Sequence, residues 1–168
     1  MSVLVSNLWQ MEAIAICVSI GGWPVKLVAV YQLPLRSLVD ADLSECISEG
    51  TPVLLADDLN VKHKDGNSRR NSSRGVLLRQ FATTNSCIVY EPVNPTTIPS
   101  CPSVIPDVLD IVIVKDFILP VNLIVCSALS SNYVPVTVDL RGSILLPGPS
   151  RPAMLETSRL DSLPGPLV

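Results

Sequence analysis

A mixed, layered α/β fold follows from three features of the sequence. Short β-rich apolar runs recur along it, two stretches between them carry helical spacing, and turn residues separate the pieces. At 168 residues, with 48% hydrophobic and 16% charged, the chain is long and apolar enough for one domain with its own core. Aromatic residues make up only 4%, so Val, Leu and Ile must do the packing.

Residues 13–20 and 25–31 are β-rich runs flanking Gly21-Gly22-Trp23-Pro24, the pattern of a hairpin. Over 36–49 the spacing of Leu35, Leu38, Val39, Leu43 and Ile47 predicts a helix, with Gly50 placed to end it. The continuous apolar run at 52–56 is expected of a strand buried on both faces. Residues 61–75 are polar and loop-like, 76–85 read as a helix, and 87–90 as a short strand. Five prolines between 92 and 106 require an extended loop. Strands are expected at 109–114, 121–125 and 134–140. Beyond Arg141 the segments PGPSRP and LPGPLV have no partner run. Residues 1–140 therefore form the domain, and 141–168 a Pro/Gly-rich tail expected to be disordered.

The formal net charge of −3 argues against a generally basic nucleic-acid binder, although a local patch depends on distribution rather than on the sum. Five scattered cysteines with no CxxC pair, and a single histidine, argue against a structural zinc site and a disulfide framework. The thiols are expected to be mostly reduced core residues, in a protein of the cytoplasm or nucleus. The amino-terminal stretch has no basic leader, and Ser6, Asn7, Gln10 and Glu12 interrupt it. Its apolar run, 13–20, falls short of the ~20 residues a spanning helix needs, so neither a signal peptide nor a membrane association is expected.

Three stretches could carry chemistry. Asp57-Asp58-Leu59-Asn60 follows a buried strand, and Asp58 with Asn60 can point into one crevice, where ligands of open α/β sheets bind. There an acid can hold a divalent metal or handle a proton. The same residues are also ordinary turn formers. Asp110 opens an otherwise β-branched strand, and is either a strand-end acid in water or buried with a donor beside it. Lys62, Lys64, Arg69, Arg70 and Arg74 put five of the twelve Lys and Arg into residues 62–74. That loop is either a solvated surface or a grip on nucleic-acid backbone by charge alone. The lone His63 carries a weaker claim to a metal or base role.

Taken in order, DDLN, SRxxxxRG, PTTIP, PDVLDIVIVK and LSSNYVPV resemble the endonuclease/exonuclease/phosphatase superfamily, and within it the endonuclease domain of jockey-type non-LTR retrotransposons. The resemblance runs from about residue 12 to 140. It implies a two-sheet α/β sandwich that cuts DNA phosphodiesters with Mg²⁺ or Mn²⁺, within a parent that also carries a reverse transcriptase (RNA-directed DNA polymerase). Nothing in these 168 residues resembles the latter. By the same resemblance Tyr31 contacts the scissile phosphate, Asp58 serves near the attacking water or leaving group, and Asn60 stands beside it. Asp110 is then the carboxylate that orients a catalytic histidine.

Departures from the pattern point to impairment. The family's Ser-Asp-His motif reads Ser131-Asn132-Tyr133. Asn132 keeps a neutral oxygen at a metal-associated position and loses the charge. Tyr133 replaces the general base, and a phenol holds its proton at neutral pH instead of taking one. The family's amino-terminal strands, with their Asn and metal-binding Glu, are expected to be missing, since Glu12 stands in a different part of the pattern. Asp57 replaces a glycine and adds a like charge. The expectation is a truncated, diverged endonuclease domain with weak or absent catalysis. The alternative is a remnant that binds nucleic acid or protein without cutting. Its partners would be DNA backbone and, to cover open apolar surfaces, a chain supplying the missing strands.

Overall fold

The computed structural model describes residues 2–5, 8–33, 35–47, 50–101, 103–126 and 132–140. The tail expected at 141–168 and Ser131 lie outside the described residues. Six strands form one sheet: β1 (Ser2–Leu4), β2 (Met11–Ile20), β3 (Trp23–Gln32), β4 (Val53–Asp58), β5 (Ile88–Tyr90) and β6 (Asp110–Lys115), in the order β1-β2-β3-β4-β6-β5. β7 (Val121–Val125) and β8 (Val136–Leu140) pair as a second sheet, and α1 (Asp40–Cys46) and α2 (Ser73–Thr84) complete the chain. The expected two-sheet α/β sandwich is present.

The β2–β3 hairpin turns on two residues, Gly21 at φ 60 and Gly22 at φ 88. Both lie in the left-handed region that a twist-matched two-residue turn requires. Trp23 and Pro24, expected in the turn, instead pair with Ile20 and Ser19. β3 and β4 run parallel, so the chain must cross over between them, and α1 lies on that crossover. α1 is shorter than the predicted 36–49. Gln32, fully buried, donates through Nε2 to the carbonyls of Arg36 at 3.1 Å and Ser37 at 3.3 Å, holding that segment outside the helix.

Asp42 in α1 is 1% exposed. Its carboxylate accepts from the backbone N–H of Trp9 at 2.9 Å, Gln10 at 2.7 Å and Met11 at 3.2 Å. This fastens the entry of β2 to the helix layer. α2 starts earlier than the predicted 76 because Ser72 caps it, accepting from Gly75 N–H at 3.1 Å. Gly75 itself lies so close to the Lys62 carbonyl that a Cβ there would overlap it. The segment predicted as pure loop also holds a short 3₁₀ turn, Lys64–Gly66.

One core cluster joins the helices to one sheet face, with Leu43 and Cys46 of α1 and Leu78 and Phe81 of α2 against Val28, Val30, Val53, Leu55, Ile111 and Ile113. On the opposite face Leu54, Val112 and Val114 pack under Val121, Leu123, Val138 and Leu140 of the small sheet. β8 begins later than the predicted 134, since Pro135 has no N–H and Val134 N–H donates to Thr96 O at 2.8 Å. β1 was not foreseen in the sequence. The cysteines are free, but only Cys46 is a core residue, its thiol pushed up to about 11 by burial. Cys17 and Cys101 are exposed, correcting the expectation of mostly buried thiols. Among the described residues no helix is long and apolar enough to cross a membrane.

Candidate functional site

Strand register places four side chains in one row. Asp58 and Asp110 are direct partners across β4 and β6, and Glu12 and Tyr31 are partners across β2 and β3. The β3–β4 register, Lys26 against Val53 through Ala29 against Ala56, extended by two residues sets Tyr31 level with Asp58, and the Asn60 bond to the Gln32 carbonyl keeps the two chains together there. Alternation along each strand puts all four on the face of Leu54 and Val112, away from the helices. The row thus reads Glu12, Tyr31, Asp58, Asp110 from β2 to β6. The sequence pattern passed over Glu12, because register across a hairpin is not visible in residue spacing.

Asn60 sits just past the row with φ 49. Its N–H donates to Asp58 Oδ1 at 2.7 Å, and its Nδ2 donates to the Gln32 carbonyl at 3.1 Å, beside Tyr31. Asp58 therefore ends a strand and opens a turn at once, which is the turn reading of this stretch. The turn fixes Asn60 at the mouth of the row.

The 132–134 segment docks through the loop at 96–97. Thr97 forms single bridges to Asp107 and Tyr133, and Ile98 N–H donates to the Asn132 carbonyl at 2.7 Å. Buried Thr96 accepts through Oγ1 from the N–H groups of Leu109 at 3.0 Å and Asp110 at 3.2 Å. Thr96, whose carbonyl accepts from Val134 N–H, thereby ties the start of β6 to the segment that carries Tyr133 ahead of β8. Nothing in the sequence motif marks Thr96 for this, since its partners are backbone groups. Tyr133 is 59% exposed and Tyr31 45% exposed. Asn132 lies off the row, with its amide oxygen engaged by Ser100 Oγ at 2.6 Å.

Among the described residues no three His, Cys, Asp or Glu side chains group closely enough to hold a metal. Asp58 and Asp110 are paired across β4 and β6, and two carboxylates beside a phosphate are oxygen donors of the kind Mg²⁺ takes. That ion keeps several waters, and needs only one or two carboxylates when a phosphate supplies further oxygens.

The basic residues divide. Lys62, Arg69 and Arg70 share a pocket of about 520 Å³ with Ser103, Val104, Ile105 and Asp107. Lys62 Nζ lies 2.6 Å from Asp107 Oδ2, so one cation of the three is already paired. Burial pushes the Asp107 carboxyl up, but hydrogen bonds from Lys62 and from the Val108 N–H outweigh it and leave the group below its ordinary range. Lys64 is exposed on the 3₁₀ turn, and Arg74 lines a separate groove with Arg36. His63 caps the 3₁₀ turn, accepting through Nδ1 from Asp65 N–H at 3.3 Å, which gives it a structural use.

No protein-family profile matches the sequence, and no curated protein matches it. Among solved structures the chain is similar to the endonuclease domain of TRAS1, a telomere-specific non-LTR retrotransposon, with a TM-score of 0.61 at 14% identity. The alignment covers 80% of this chain and 64% of that one, so the chain spans less than two thirds of that domain. The likeness is one of fold: the two chains share the endonuclease architecture.

Proposed function

We propose that this chain is a retrotransposon-type endonuclease domain of the jockey kind that holds DNA phosphodiesters at the Glu12–Asp110 row and cleaves them poorly. The observation that supports the reading is the row itself. The side chains that the resemblance assigns to the site, Tyr31 and Asp58 at the phosphate and Asp110 as the orienter of a histidine, come from three strands whose register supports a row with Asn60 at its mouth. Lys62, Arg69 and Arg70 form a cationic pocket on the same chain, suited to backbone phosphates without reading sequence.

Asp58 and Asp110 would hold Mg²⁺ or Mn²⁺, which neutralises charge building on a phosphoryl oxygen. Tyr31 offers a hydroxyl to a phosphate oxygen, and Asn60, locked by its bond to Gln32, offers a dipole rather than a proton. What the resemblance would supply here, and this sequence does not, is a histidine to take the proton from water. Tyr133 stands where the family has histidine, and loss of a general base lowers the rate by ~10²–10⁴-fold. The resulting function is DNA engagement with residual metal-dependent nicking.

Nicking of supercoiled plasmid DNA with and without Mg²⁺, beside Asp58→Ala, tests the reading. Slow Mg²⁺-dependent nicking that disappears in Asp58→Ala is the expected result. DNA binding with no nicking would favour the non-enzymatic alternative, and a folded protein that neither binds nor nicks DNA would refute both.

A further inference from the structure

The approach to α2 is a run of arginines and serines, Arg69-Arg70-Asn71-Ser72-Ser73-Arg74. Residues 69–71 are exposed and carry no regular structure, and Ser73 is the exposed first residue of the helix. The two serines are held differently. Ser72 is half-buried, and its Oγ accepts from the N–H groups of Lys62 and Gly75, both at 3.1 Å, and donates to the Lys62 carbonyl at 3.3 Å. Among the described residues the Ser73 hydroxyl has no hydrogen-bond partner. Ser73 lines a groove of about 360 Å³ together with Arg74 and, from the connection between β3 and α1, Arg36. Arg36 Nη1 donates to the Trp9 carbonyl at 3.4 Å, which leaves its other N–H groups for an acceptor. No carboxylate lines the groove.

We propose that Ser73 is a phosphorylation site for an arginine-directed Ser/Thr protein kinase, and that Arg36 and Arg74 clasp the phosphoryl group. A kinase of that class reads charge, setting acidic side chains against arginines a few residues ahead of the acceptor. Arg70 and Arg69 stand in that place, exposed, ahead of Ser73. The same pattern would serve Ser72, but its oxygen is enclosed as the cap of α2, whereas the Ser73 oxygen is open. In the transfer, Ser73 Oγ attacks the γ-phosphorus of ATP and forms the new O–P bond. The bond from that phosphorus to the β,γ-bridging oxygen breaks, ADP leaves with the electron pair, and the hydroxyl proton passes to the kinase's catalytic aspartate. The product carries about two negative charges and three acceptor oxygens in a groove lined by two guanidiniums, whose planar forks suit a phosphoryl group. Arg36 and Arg74 come from different elements, so a shared hold on the phosphoryl group joins the start of α2 to the β3–α1 connection.

Incubation of the folded full chain with ATP and a purified arginine-directed Ser/Thr kinase tests this. Intact mass and fragment mapping locate the phosphoryl group, and melting followed by circular dichroism compares each protein with and without it. The wild type is expected to gain one phosphoryl group, at Ser73, and a Tm higher by roughly 3–6 °C. Ser73→Ala should take up none, and Arg70→Ala should slow the transfer about tenfold. Arg36→Ala should be phosphorylated as fast as the wild type but lose most of the Tm gain. Transfer to Ser72 in place of Ser73, no transfer to the wild type, or a phosphorylated Ser73 that fails to raise Tm would overturn the proposal.

Discussion

Replacing Asp42 with alanine removes one acceptor from three backbone donors at once. Met11 N–H is buried, so leaving it without a partner costs about 1–3 kcal/mol. The N–H groups of Trp9 and Gln10 are only partly buried, and water recovers much of their loss. Together the change is worth roughly 2–4 kcal/mol, a large share of the ~5–15 kcal/mol that holds a typical domain together. Asp42→Asn keeps one acceptor oxygen but turns an amide toward N–H groups, and should lose about half as much. Urea unfolding followed by circular dichroism reads both variants, with an unchanged slope showing that stability alone has moved. A loss under about 1 kcal/mol in Asp42→Ala, or an asparagine worse than the alanine, would refute the account of how β2 is fastened to α1.

Three further outcomes are expected. Gly75→Ala forces a Cβ into the Lys62 carbonyl and should cost about 1–3 kcal/mol in thermal melting, whereas a neutral change would mean the loop yields freely. Asp107, held below the ordinary carboxylate range, adds stability that is present above its unfolded value and is lost as pH falls through its folded value. Asp107→Asn should remove that acid-side component from a stability–pH profile, and an identical profile in both proteins would contradict it. Arg69→Ala with Arg70→Ala should weaken DNA binding regardless of sequence and reduce the salt slope by about 2, while Arg74→Ala, in its separate groove, should leave it unchanged.

The strands that alternate or run continuously apolar were legible in the sequence, because the period of two that identifies them also sets which face they bury. The β2–β3 hairpin is an example, down to the glycines of its turn. Boundaries were less legible where a side chain bonds to nearby backbone and decides them. Gln32 shortens α1 by holding the carbonyls of Arg36 and Ser37 just after β3, and Ser72 starts α2 three residues early. At the site, Asp58, Asn60, Asp110 and Tyr31 could be named from motifs. Glu12 could not join them, since its place depends on the hairpin register, nor could Thr96, which acts through backbone groups. The pairing of Lys62 with Asp107 spans 45 residues, and no local pattern announces it.

If the row is a phosphate site without its proton acceptor, restoring the acceptor should restore the rate. The most direct measurement is Mg²⁺-dependent plasmid nicking by the double variant Asn132→Asp with Tyr133→His, compared with the wild type and with the same double variant carrying Asp58→Ala. The account predicts a gain of ~10²-fold or more over the wild type, abolished by Asp58→Ala. Nicking by the wild type as fast as by the double variant, or nicking indifferent to Asp58, would contradict it.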